Sequence, residues 1–211
     1  MELNKIFKSA LFYKEYRDLV DSLVVSGKTT GTNQTEKLVE FTKLNIQRMN
    51  RLDKTIQLSE QVINTINQSD RSFDWLLIGD AWCGDCAQII PVINKVSEAS
   101  NGKINFKIIS RDTFPELIEI YHTDGAMAIP KLLVIDKETS ETICSWGPRP
   151  KPAQEIMLNW KENKDKISWE EFEMNLHLWY ARDKGVSIIK ELVSLLEKCE
   201  EKNSIQLKNF N

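Results

Sequence analysis

Residues 75–86 read Trp75-Leu76-Leu77-Ile78-Gly79-Asp80-Ala81-Trp82-Cys83-Gly84-Asp85-Cys86. The apolar run Trp75–Ile78 has the length and composition of a buried strand, and the stretch from Gly84 to about Ser97 has helical character. A strand that turns into a helix through C-x-x-C puts the first thiol at a helix N-terminus. Free backbone N–H groups and the helix dipole favour an anion there. The second thiol follows one helical turn later, close enough to close a small disulfide ring. This is a dithiol suited to cycling between reduced and oxidised forms.

The rest of the segment supports a sheet. Ile104–Ile109 follows the turn signal Asn101-Gly102 and reads as a second strand. Phe114–Tyr121 is a short helix starting near Pro115, and Lys131–Ile135 is a third strand. Glu141–Trp146 is a fourth, its hairpin partner, and Gly147-Pro148-Arg149-Pro150 breaks it before a helix over 152–164. Upstream, residues 1–25 read as helical, a polar break follows at 26–33, and Glu36–Gln68 reads as one kinked helix or two consecutive ones, with Asp53 a candidate cap for the second. Downstream, Ser168-Trp169-Glu170-Glu171 has capping-box spacing and Gly185 is a helix stop, with a last amphipathic helix from Val186 and a tail after Glu200 expected to fray.

Four local matches then give a family resemblance. Trp82-Cys83-Gly84-Asp85-Cys86 resembles thioredoxin's W-C-G-P-C except at Asp85. Pro91 stands where that family has a proline in its active-site helix. Gly125-Ala126-Met127-Ala128-Ile129-Pro130, just before a strand, resembles the stretch ending in Ile-cis-Pro, and Gly147 matches a groove-lining glycine. The chain thus resembles the thioredoxin superfamily, in particular a thioredoxin-like bacterial branch with helical additions at both ends. The resemblance implies an α/β thioredoxin fold, a central mixed sheet flanked by helices, with extra helices at both termini. It divides the chain into an N-terminal helical extension (1–71), a core (72–165) and a C-terminal helical appendix (166–211), packed as one compact unit.

The same resemblance implies thiol–disulfide exchange on a protein disulfide, with a separate reductase as electron donor and no bound cofactor. Cys83 is the nucleophile, Cys86 the resolving thiol. Trp82, Gly84, Ile129, Pro130 and Gly147 form the substrate surface, the backbone of Ile129 pairing with an extended substrate segment. In the family the proline also keeps metal from bridging the thiols. Two departures stand out. The family's buried aspartate, six residues before the nucleophile, is replaced by Leu77, leaving Asp80 or Asp85 as proton acceptor. Asp85 beside Cys83 also disfavours the thiolate by like-charge repulsion. Both acids serve equally as ordinary helix-start carboxylates. Lys107 is placed to balance a buried acid, as a lysine does in thioredoxins.

Composition excludes several alternatives. The 211 residues are 41% apolar and 28% charged with a net charge of -3, which gives no basic face for nucleic acid. No run approaches the length of a membrane span, and the charged N-terminus lacks the apolar stretch of a signal peptide, so a cytoplasmic protein is expected. A structural zinc needs about four ligands, and Cys144, Cys199, His122 and His177 make no second close pair. Cys144 reads as a core residue and Cys199 as incidental, and Trp179–Gly185 reads as a helix docking on the core. The competing function is a thioredoxin-like adaptor or redox sensor without turnover.

Overall fold

The computed structural model describes residues 3–68 and 71–208, with side chains to residue 200. Its centre is a five-stranded sheet in the order β1-β3-β2-β4-β5, built from β1 (Leu11–Phe12), β2 (Phe73–Ile78), β3 (Ile104–Ile109), β4 (Lys131–Asp136) and β5 (Thr142–Trp146). β2 and β3 are parallel, in register from Phe73 opposite Ile104 to Ile78 opposite Ile109. The other pairings are antiparallel. The parallel pair requires a crossover, supplied by α5 (Gly84–Glu98), which runs unbroken through Pro91. Trp75, Leu76, Leu77, Leu132, Leu133 and Val134 are wholly buried. Strands buried on both faces read as continuous apolar runs, which is why β2 and β4 stand out in the sequence.

Helices cover both faces. At the N-terminal end these are α1 (Leu3–Ser9), α2 (Tyr13–Val25), α3 (Glu36–Thr55) and α4 (Glu60–Gln68); after the sheet core come α6 (Pro115–Ile120), α7 (Lys151–Glu162), α8 (Trp169–Asp183) and α9 (Val186–Lys208). One hydrophobic core joins Ile6, Val20 and Met49 from the N-terminal helices to the sheet and to Leu192 and Cys199 of α9. Cys144 is buried in β5. Ser168 caps α8 by accepting from Glu171 N at 3.1 Å, and left-handed Lys184 ends it. Trp160 and Trp169, 4.9 Å apart edge-on, pin α7 to α8.

Three local expectations need correction. Residues 1–25 are not all helix: Leu11 and Phe12 form β1, antiparallel to Ile108 and Lys107. This strand is too short to show a period of two. Asp53 does not cap α4. It lies inside α3 and accepts hydrogen bonds from Tyr13 at 2.7 Å and Arg17, tying α2 to α3. Lys107 acts through space on the half-buried Asp74 carboxyl, and its ammonium lies over the Phe7 and Phe12 rings, 5.3 and 4.5 Å from their centroids, closing the sheet edge. The tail after Glu200 remains helical to Lys208, and residues 209–211 fall outside the described residues.

Candidate functional site

The end of β2, the start of α5 and the loop before β4 meet at Cys83. This residue precedes α5 in extended conformation, and its half-buried Sγ lies 3.5 Å from the carbonyl oxygen of Ile129. The Ile129–Pro130 peptide is cis. Gly147, at φ 111°, holds its backbone against this segment; a Cβ there would stand 2.4 Å from Pro130 O. Only glycine adopts that conformation and leaves that space. Cys83 and Gly147, both half-buried, therefore meet the buried Ile129–Pro130 segment, and half-buried Trp82 lies under the Arg111 guanidinium, 5.2 Å from its ring.

Cys86 is wholly buried one turn into α5, and burial, reinforced by Cys83, pushes its thiol well up. A nearby acceptor for its proton is therefore useful. Leu77 is core. Asp80, at the end of β2, is completely buried and lies among the charges that act on Cys86. Its Oδ1 accepts from Ser110 Oγ at 2.7 Å, while Oδ2 makes no hydrogen bond. Burial raises this carboxyl above the usual range, against the opposing hydroxyl contacts.

Asp85 has a different environment. Its Oδ1 accepts from Tyr180 OH at 2.7 Å and its Oδ2 from Arg149 Nη2 at 2.6 Å. Burial raises its carboxyl, and Arg149 and Tyr180 pull it back. With both oxygens engaged and its charge matched, Asp85 is neither free to take a proton from Cys86 nor a bare charge beside Cys83. The two acids are alike in burial and differ in their partners. The segment 179–185 does dock a helix on the core, but Tyr180 within it also reaches the C-x-x-C turn.

Other contributors carry no local sequence signal. Ala81 N donates to Thr30 Oγ1 at 2.8 Å, and Ala81 O accepts from Asn45 Nδ2 at 2.7 Å. The loop before the cysteines is thus held by the polar break at 26–33 and by α3. Tyr16 of α2 is buried with an unpartnered hydroxyl, close enough to Cys86 and Asp80 for their charges to raise it further beyond the effect of burial. Arg48 and His177 cover Gly84, where an added Cβ would meet His177 Cε1 at 2.7 Å and Arg48 Nη1 at 3.3 Å. Among the described residues no cluster of His, Cys, Asp and Glu could hold a metal ion.

His177 makes one prediction. Burial, and then the Arg48 charge, lower its imidazole from 6.5 to about 4. Between those values the unfolded chain binds a proton that the native ring refuses, so stability falls as pH drops from 6.5 towards 4. Asp80 and Asp85, raised in the fold, act in the opposite direction and are unchanged in a His177→Gln variant. Urea titrations across this range should show a wild-type loss, relative to the variant, of about 1–2 kcal/mol, discounted for partial exposure of the ring. Parallel pH profiles for the two proteins would remove this assignment.

The chain is similar to known proteins over this same region. A family model described as Thioredoxin matches residues 31–166. Over 79 residues the chain is 37% identical to thioredoxin from Bacillus subtilis (strain 168), covering 37% of this chain and 71% of that protein. Over 76 residues it is 32% identical to the chloroplastic M-type thioredoxin of Brassica napus, covering 36% of this chain and 41% of that one. In three dimensions it is similar to a protein of unknown function from Pseudomonas aeruginosa, with TM-score 0.57 and 16% identity over 89% of this chain and 98% of the other. An HIV epitope-scaffold matches with TM-score 0.52 and 17% identity over the same shares. These structural likenesses concern the fold.

Proposed function

The chain belongs to the thioredoxin family, and we propose that it is a thiol–disulfide oxidoreductase that reduces protein disulfides through Cys83 and Cys86. The observation that carries this reading is the contact of a half-buried Cys83 Sγ with Ile129 O, one turn from a wholly buried second thiol. Such a pair offers one sulfur to a substrate and withholds the other until a mixed disulfide exists.

The Cys83 thiolate attacks one sulfur of the substrate disulfide. The substrate S–S bond breaks, and its second sulfur leaves as a thiolate. Cys86 then gives its proton to the unpartnered Oδ2 of Asp80 and attacks Cys83 Sγ. The mixed disulfide breaks, the first substrate sulfur leaves as a thiolate, and two electrons have passed to the substrate. The resulting Cys83–Cys86 disulfide is returned to the dithiol by a separate reductase. A carboxyl raised by burial is a better match for this proton than an ordinary one. Trp82, Gly84, Ile129, Pro130 and Gly147 form the docking surface, the substrate chain pairing with the backbone of Ile129. No helix among the described residues is long and apolar enough to cross a membrane, and we place the activity in the cytoplasm, with protein rather than nucleic acid or lipid as substrate.

Trapping tests this directly. A Cys86→Ser variant lacks the second step and should accumulate protein adducts through Cys83, released by dithiothreitol and identified by mass spectrometry. Adducts bound equally by a Cys83→Ser/Cys86→Ser variant, or none at all, would favour an adaptor without turnover.

A further inference from the structure

Between α3 and α8, over the first turn of α5, lies a cleft of about 730 Å³ to which Cys83 and Trp82 contribute. This falls within the size range of ligand sites, roughly 300–1,000 Å³. Leu38 and Phe41 line one wall, Trp169 and Phe172 the other.

The charges on its walls are unevenly matched. Arg149 is paired with Asp85. Arg48 is half-buried, donates from Nη1 to Asn45 Oδ1 at 2.8 Å, and makes no ion pair among the described residues. Glu173 and Asp85 both act on Arg48 through space, opposed by Arg51, and His177 is neutral above about pH 4. Lys37 adds a second positive charge, exposed at the rim. Lys37 and Arg48 together outweigh Glu173, so this cleft is positive on a chain whose net charge is -3. A partly desolvated guanidinium with carboxylates acting on it only from beyond ion-pair distance is a place that an anionic ligand would fill.

We infer that this cleft receives the peptide segment beside the substrate cysteine, an apolar side chain against Phe41 and Trp169 and a neighbouring carboxylate on Arg48. The inference rests on the oxidoreductase reading and adds its substrate class: protein disulfides set in mixed apolar and acidic sequence. Arg48 acts as the specificity residue. It lies over Gly84, next to the nucleophile, so the carboxylate belongs to a residue close to the reacting cysteine.

Three synthetic peptide disulfides test this, with cysteine followed by Leu-Glu, Leu-Gln or Leu-Lys. Single-turnover oxidation of the reduced full-length protein is followed by acid quench and mass spectrometry. One charge-assisted hydrogen bond should favour the Glu over the Gln peptide by about tenfold, with the Lys peptide slowest. The Glu-to-Gln ratio should fall to within about twofold in Arg48→Gln and be partly restored in Arg48→Lys. Equal Glu and Gln rates in the wild type would overturn the inference while leaving the oxidoreductase reading standing, and that comparison needs no variant. A ratio surviving Arg48→Gln would also overturn it. A carboxylate preference seen with the small disulfide dithiodiglycolate but with no peptide would overturn the peptide occupant. Failure of every disulfide to react would remove both readings.

Discussion

Cys83→Ser should lower reduction of insulin disulfides by about three orders of magnitude or more, the scale on which loss of a nucleophile is felt. Serine fills nearly the same half-buried space, so the fold should be unaffected. No other sulfur can substitute. Cys86 is wholly buried, Cys144 is 8% exposed in β5 and Cys199 is fully buried in α9. Turnover is measured with dithiothreitol as electron source. Activity within tenfold of wild type would place the chemistry elsewhere and remove the mechanism at its first step.

Arg149→Met should produce the largest loss of stability. It leaves the buried Asp85 carboxyl with Tyr180 as its remaining hydrogen-bond partner. Breaking a buried ion pair from one side costs about 3–5 kcal/mol. The pair is largely shielded, with 13% and 7% of the two side chains exposed, so screening discounts little. Loss of Arg149 removes the main influence drawing the Asp85 carboxyl down against burial. Its native-state proton affinity then rises further above the unfolded value, so the deficit should shrink as pH falls and Asp85 takes up a proton. Asp85→Asn/Arg149→Met keeps an acceptor for Tyr180 and removes both charges, so it should recover most of the loss. Urea unfolding across pH measures all three proteins. A single variant within about 0.5 kcal/mol of wild type, the range of ordinary surface changes, would show the pair to be idle.

Asp85 also illustrates what can be read along a chain and what cannot. The central strands, the C-x-x-C helix and the hairpin are legible because each is a continuous apolar run closed by a turn signal. β1 is not, since Leu11 and Phe12 complete no alternation of their own and depend on β3 for their hydrogen bonds. In the site, the two cysteines and the Ile129-Pro130 segment lie in recognisable local patterns. Arg149, Tyr180, Asn45, Thr30 and Arg48 do not. Each is an ordinary polar residue whose role depends on an element far away in sequence, as with the 95-residue separation of Tyr180 from Asp85. Asp80 and Asp85 are indistinguishable in sequence for the same reason: composition places a carboxylate, but only packing decides which oxygen is left without a partner.

Thr30 and Asn45 satisfy the backbone amide and carbonyl of Ala81, and Tyr180 binds Asp85, so both ends of the molecule are fastened to the loop bearing the thiols. Removing the segments that carry Thr30, Asn45 and Tyr180 would strip three buried polar groups of these partners at once and admit water behind the dithiol. What looks like ornament in a linear comparison is, in space, the insulation of the two thiols.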